Sequence, residues 1–230
     1  LSTDADRTLR EPTPAERVRS ALARAVSMSL TTDGQGYDLI GLHSVGRRGE
    51  ITLHPDTDSP LAAQMACAPH ASLAALLEFT DIAPTAVRDR VRARVTVSGR
   101  LTPTAEGDSL RLDTGRVTLT TAAGTEDLDL DDVALAEPDP LAVEEAAMLT
   151  HLADAHGDLV TDLVGLAGRR LPRGVIRVLP VALDQHGITL RCEYRRGHCD
   201  LRLLFPAAAR NATEAGESVR HLLTASAYSS

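Results

Sequence analysis

Apolar and polar positions alternate with a period of two through much of residues 27–136, and the period turns helical after the break Glu137-Pro-Asp-Pro140. Ahead of the alternating region, residues 14–26 predict an amphipathic helix opened by Thr13-Pro14, with Val18, Leu22 and Val26 inward. Strands are expected at 27–32, at 37–45 after the turn at 33–36, and at 50–54 after the Gly-bounded turn at 46–49. A short helix at 60–66 and an apolar segment at 71–79 follow. Strands at 91–101, 109–113, 116–121, 126–131 and 133–136 complete the region. Frequent turn signals and few helices suit a small antiparallel barrel over 12–137, behind a disordered lead at 1–11.

Beyond the linker, Asp139-Pro140 is the expected start of a long helix. On a single helix turning by about 100° per residue, Leu149, Leu152, His156, Leu159, Val160, Leu163 and Ala167 share one apolar face. His151 falls opposite, beside Asp154, Asp158 and Asp162. Positions five apart on a helix are about 140° apart, so this pair could not clasp one metal as an i, i+4 pair could. His156 then reads either as a core histidine with a hydrogen-bond partner or as an axial ligand to a large apolar cofactor such as haem. Burial above half is expected for His156 and at least partial exposure for His151. Three strands follow, at 174–184, 187–194 and 198–206, with turns at 184–187 and 195–197. Asn211-Ala-Thr-Glu214 is a capping box ahead of a last helix carrying Val219, Leu222 and Leu223, with His221 at the boundary of its apolar side.

Composition narrows the partners. The 24 basic residues are all arginine, which excludes lysine Schiff-base chemistry and suggests a GC-rich, actinobacterial genome. Two Phe, three Tyr and no Trp leave few stacking platforms, and a net charge of −8 argues against nucleic acid. No apolar run approaches spanning length, so no membrane partner is expected. The polar, acidic start reads as neither signal nor transit peptide, and a cytoplasmic location is the expectation. The absence of an initial Met suggests a trimmed native start. Cys67, Cys192 and Cys199 make no disulfide framework; Cys192 and Cys199 could face each other across the 195–197 turn as a reduced pair. A zinc site with His198 would lack a fourth ligand of suitable spacing.

The order helix, three-strand meander, helix over about 140–225, with its His-x4-His start and Leu183-Asp-x-x-Gly187 turn, resembles a small α+β domain found fused to split barrels. It occurs in HugZ-type haem-utilisation proteins and in relatives of the plant glutamyl-tRNA-reductase-binding protein. Leu152-Ala153 and Ala155 stand where that family has polar neighbours of the histidines. Residues 13–136, with the strand at 92–101, resemble the flavin-binding split barrel of the pyridoxamine-phosphate-oxidase-like superfamily. Asp56 and Asp58 fall where such barrels present basic or hydroxyl side chains to the flavin phosphate, which disfavours FMN. The resemblance implies a homodimer.

Arg88, Arg90, Arg92, Arg94 and Arg100 share one strand face by alternation. They could form a cationic shelf for haem propionates or a flavin phosphate. Alternatively they could be neutralised across strands by Asp127, Asp129 and Asp131. Ser27, Ser29 and Ser44 lie in no nucleophile elbow, and no phosphate-binding Gly loop is present. His43, His54 and His70 read as surface residues or cofactor contacts, and His186 as a solvated turn residue. The fold expected is α+β: an antiparallel split β-barrel followed by a helix–three-strand meander–helix domain over 138–230. The function implied by resemblance is binding of haem or another tetrapyrrole, with haem degradation as its enzymatic form. In that reading His156 is the candidate iron ligand, His151 or His221 a second ligand or neighbour, and Arg90, Arg92 and Arg94 hold propionates. A flavin-dependent oxidoreductase and a cofactor-free regulatory or scaffold protein are the alternatives.

Overall fold

The computed structural model describes residues 11–166 and 174–227, with side chains through 224. Nearly all of the expected disordered lead, and Ala167 of the apolar stripe, lie outside the described residues. The chain divides into two compact units, Thr13–Asp81 with Val91–Pro138, and Ile82–Arg90 with Asp139–Ser230.

The first unit is an antiparallel split barrel. Helix α1 (Pro14–Arg24) opens with a complete capping box: Thr13 Oγ1 accepts from the Glu16 amide at 3.2 Å, and Glu16 accepts from the Thr13 amide at 2.8 Å. It buries Val18 and Leu22, whereas Val26 lies past the helix end and is exposed, contrary to the helical pattern. Strands β1 (Ser27–Thr32) and β2 (Gln35–Ile40) form a hairpin. The expected strand at 37–45 breaks at Gly41, whose φ of 68° belongs to the left-handed region, and resumes as β3 (His43–Val45). Strand β4 (Ile51–Leu53), helix α2 (Pro60–Cys67) and strand β5 (Leu73–Ile82) follow.

β6 (Val91–Pro103) pairs along its length with β7 (Leu110–Thr121), and β8 (Gly124–Leu128) pairs with β7. The sheet order is β2-β1-β5-β6-β7-β4-β3. β7 is one strand rather than two, because a bulge takes up the register shift opposite Ser98 and Gly99. The strand expected at 133–136 is instead helix α3 (Leu130–Leu135). Asp129 caps it by accepting from the amides of Asp131 and Asp132, and these acids lie favourably in its first turn. Leu30, Leu53, Leu77, Phe79, Val95, Leu101 and Leu119 fill the barrel core.

The second unit packs three helices on a three-stranded antiparallel meander. Helix α4 runs Glu145–Ala155, beginning later than Asp139-Pro140 suggests. The Asp139 carboxylate accepts from the amides of Leu141 at 2.8 Å and Gln185 at 2.9 Å, and residues 140–144 form turns. Helix α5 (Gly157–Gly165) follows at once. Strands β9 (Arg177–Asp184), β10 (Gly187–Glu193) and β11 (His198–Leu204) form the sheet β11-β10-β9.

Helix α6 (Ala212–Ala227) closes the unit. Asn211 accepts from the Glu214 amide at 3.0 Å, but the Glu214 carboxylate turns to Arg210, so only half of the expected capping box forms. Leu149, Leu163, Ile188, Leu190, Phe205 and Ala215 make the core. The loop Ile82–Arg90 joins this unit through Ala83 and Val87, which pack with Val181.

Candidate functional site

The long helix expected around the two histidines is broken at one of them. His156 has φ −135° and ψ 42°, outside helical geometry, and serves as both the C-cap of α4 and the N-cap of α5. Its amide still donates to the Leu152 carbonyl at 3.2 Å, and its carbonyl accepts from Val160 at 3.2 Å, so each helix is closed through it. Counting angles across this break fails. The rings of His151 and His156 do not point apart: they meet edge to face, with centroids 5.0 Å apart and planes at 84°. His156 is half-buried between Leu152 and Leu159 in sequence, and His151 is exposed. Among the described residues, neither ring nitrogen has a hydrogen-bond partner. His221, the other histidine singled out in this unit, is exposed on α6.

The arginine shelf is dispersed. Arg92, Arg94 and Arg100 do alternate on the outer side of β6, but Arg88 and Arg90 precede the strand, in the loop that belongs to the second unit. Arg90 donates to the Ala83 carbonyl through two nitrogens at 3.0 and 2.8 Å. Arg92 meets Asp81 at 2.6 Å, both side chains 11% exposed. Arg94 approaches Glu78 at 3.6 Å. Neutralisation therefore occurs, but with Glu78 and Asp81 rather than the aspartates after residue 126. Asp127 takes Arg116 of β7 instead, in a bidentate pair at 2.9 and 2.6 Å. Asp129 and Asp131 belong to the start of α3.

His186 is buried, 2% exposed, rather than solvated. The chain after β11 folds over its turn, with Phe205 donating to the His186 carbonyl and Ala209 to that of Gln185, both at 2.8 Å. In the barrel, His43 lies edge-on to Phe79 at 5.5 Å, and burial lowers its pKa. His54 and Ser44 are hydrogen-bonded at 2.9 Å, and His70 is exposed. Asp56 and Asp58 are both exposed ahead of α2, whose Ser59 cap uses its hydroxyl on the Ala62 amide.

Two groups escaped the sequence reading. Arg19 is 4% exposed in α1 and donates to the carbonyls of Gly46 and Arg47, holding the turn before β4; burial lowers its pKa against the nearby Glu137 and Glu50. Its position on the helix gives no signal of this, because the acceptors come from a distant turn. Glu145 is 3% exposed and accepts from the Leu183 amide at 3.0 Å. Among the described residues, no three His, Cys, Asp or Glu side chains are grouped to hold a metal ion. No helix among them is long and apolar enough to cross a membrane.

These features define an α+β protein: a split barrel and a helix-flanked meander that carries a histidine pair at a helix break. No protein-family model matches the chain, and no curated protein matches its sequence. Among solved structures it is similar to a haem-binding protein from Mycobacterium smegmatis, with a TM-score of 0.62 and 19% identity over 96% of this chain and 100% of that one. A protein of unknown function from Agrobacterium tumefaciens is matched at TM-score 0.36 and 19% identity, over 94% of this chain and 100% of that one. The first likeness establishes the fold.

Proposed function

We propose that this protein binds a tetrapyrrole, haem in the first instance, through the histidine pair of its second unit. The carrying observation is His156: a half-buried imidazole at a helix break, with neither ring nitrogen engaged among the described residues. A neutral imidazole with a free nitrogen is what haem iron requires of a protein ligand. The fold-level neighbour from Mycobacterium smegmatis, described as haem-binding, favours a tetrapyrrole over other apolar cofactors. The edge-to-face contact of His151 and His156 suits one iron ligand and one orienting neighbour. His156 is assigned the iron, His151 the neighbouring position, and His221 an outer one. Bound haem would supply an iron centre for ligand binding and redox chemistry; this chain would supply the imidazole, its orientation and an apolar flank.

Arg92 is given no part in holding propionates, because Asp81 already occupies its guanidinium. Haem degradation, two-fold pairing of subunits and a cytoplasmic setting belong to the same reading as extensions of it. Absorption titration of the full chain with haem, and separately with FMN, tests the proposal. A saturable Soret shift with haem and no flavin retention is expected. Saturable flavin binding without a Soret shift would transfer the reading to a flavin protein, and neither would leave a cofactor-free role. On the haem-loaded protein, oxygen with a reductant should bleach the Soret band if degradation occurs, and light scattering should give twice the chain mass.

A further inference from the structure

The far end of the meander carries a pair of thiols that the haem reading does not use. Cys192 on β10 and Cys199 on β11 are direct register partners. The Tyr194 amide donates to the Gly197 carbonyl at 3.0 Å, closing the hairpin. Because hydrogen-bonded and non-hydrogen-bonded pairs alternate along an antiparallel ladder, Cys192 and Cys199 fall two steps on, at a hydrogen-bonded pair. Such pairs have Cα atoms about 5.5 Å apart, inside the roughly 4.4–6.8 Å range that a disulfide spans. Directly opposed residues also point to the same side of the sheet, so the two sulfurs face one another across the ladder. Both cysteines are free.

We propose that Cys192 and Cys199 form a reversible dithiol–disulfide couple, oxidised by hydrogen peroxide. Their environments divide the labour. Cys199 is half-buried and within 3.2 Å of the Tyr194 hydroxyl, whereas Cys192 is fully buried. Burial first, and the neighbouring Cys199 second, push the Cys192 thiol up to about 11, which makes it a poor first attacker. Tyr194 is held protonated, chiefly by its contact with Cys199, and is placed to donate to that sulfur.

Cys199 therefore meets the peroxide. Its sulfur forms a bond to one peroxide oxygen as the O–O bond breaks, and the thiol proton leaves with the other oxygen as water. The Cys192 sulfur then attacks the Cys199 sulfenic acid: the S–S bond forms, the S–O bond breaks, and the hydroxyl departs with the Cys192 proton as a second water. The two thiols lose two electrons and the peroxide gains them.

The test is thiol mapping of the full chain after one equivalent of hydrogen peroxide, with the excess peroxide removed and free thiols then blocked by maleimide in denaturant. Trypsin cleaves between the cysteines, at Arg195 and Arg196, so the disulfide appears as two linked peptides that separate on reduction. Expected are this linked species, loss of maleimide at Cys192 and Cys199, and retention of maleimide at the exposed Cys67. Maleimide retained on both meander cysteines, or sulfinic acid at Cys199 without a link, would overturn the proposal. In Cys192→Ser, dimedone should trap a sulfenic acid at Cys199; in Cys199→Ser, Cys192 should stay unlabelled, and the reverse pattern would refute the assigned order. The wild-type mapping decides the couple itself if either variant fails to fold.

Discussion

His151 and His156 are brought together by the break between α4 and α5, their rings edge to face with centroids 5.0 Å apart. Five helical positions would place them on nearly opposite sides. A non-helical residue between two short helices places them side by side, giving one half-buried and one exposed imidazole within contact.

The loop Ile82–Arg90 is fastened to the meander by Arg191. Its guanidinium makes a bidentate pair with Asp200 at 2.7 and 2.8 Å and donates to the carbonyls of Arg88 and Asp89 at 2.6 and 2.7 Å. Arg191→Ala would leave two carbonyls and a carboxylate without their donor, and a loss of about 2–4 kcal/mol is expected. Urea denaturation checks it; a change within error of zero would show that solvent replaces the guanidinium.

Glu193 gives the second unit an acid limit. Its carboxylate, 3% exposed, accepts from the Arg88 amide at 2.8 Å and from Arg177. Burial is the largest influence and raises its pKa, but the amide and the two arginines outweigh it and hold the group below its ordinary 4.5. A depressed carboxylate adds stability that is present above its unfolded pKa and is lost as pH falls through the folded value. Stability should therefore decline below about pH 4.5, and Glu193→Gln should be less stable at neutral pH with a flatter acid limb. Parallel acid limbs in melts of the two proteins across pH 3–6 would contradict this.

Gly99 fixes the barrel's bulge. A Cβ there would press against the carbonyl of Asp113 on β7, closer than real Cβ atoms approach, and this is backbone that cannot rotate away. Gly99→Ala should cost about 1–3 kcal/mol and lower the melting temperature, whereas Gly107→Ala, in an open turn, tests φ strain without a clash. Equal melting temperatures for Gly99→Ala and wild type would show that β7 moves aside.

Alternation in β1, β5 and β6 made most of the barrel legible, and the Gly-bearing turns delimited the meander strands, although β10 is buried along nearly its whole length. It failed at α3, where an Asp cap and acidic first turn prevail over alternation. It also failed at His156, because apolar periodicity carries smoothly past a break that only the adjacent Gly157 hints at. His186 was hidden because its burial comes from residues 205–209 folding over the turn, and Arg19 because its acceptors are nearly thirty residues away. The pairing of Arg92 with Asp81 joins β6 to the preceding strand, and alternation gives the face of a residue but not its neighbour.

Haem titration of His156→Ala against His151→Ala, followed by absorption and accompanied by thermal melts, tests the central claim most directly. His156→Ala should abolish or shift the Soret change seen with wild type, while His151→Ala retains it at reduced affinity, both folded at the working temperature. Identical Soret titrations for His156→Ala and wild type would contradict His156 as the iron ligand.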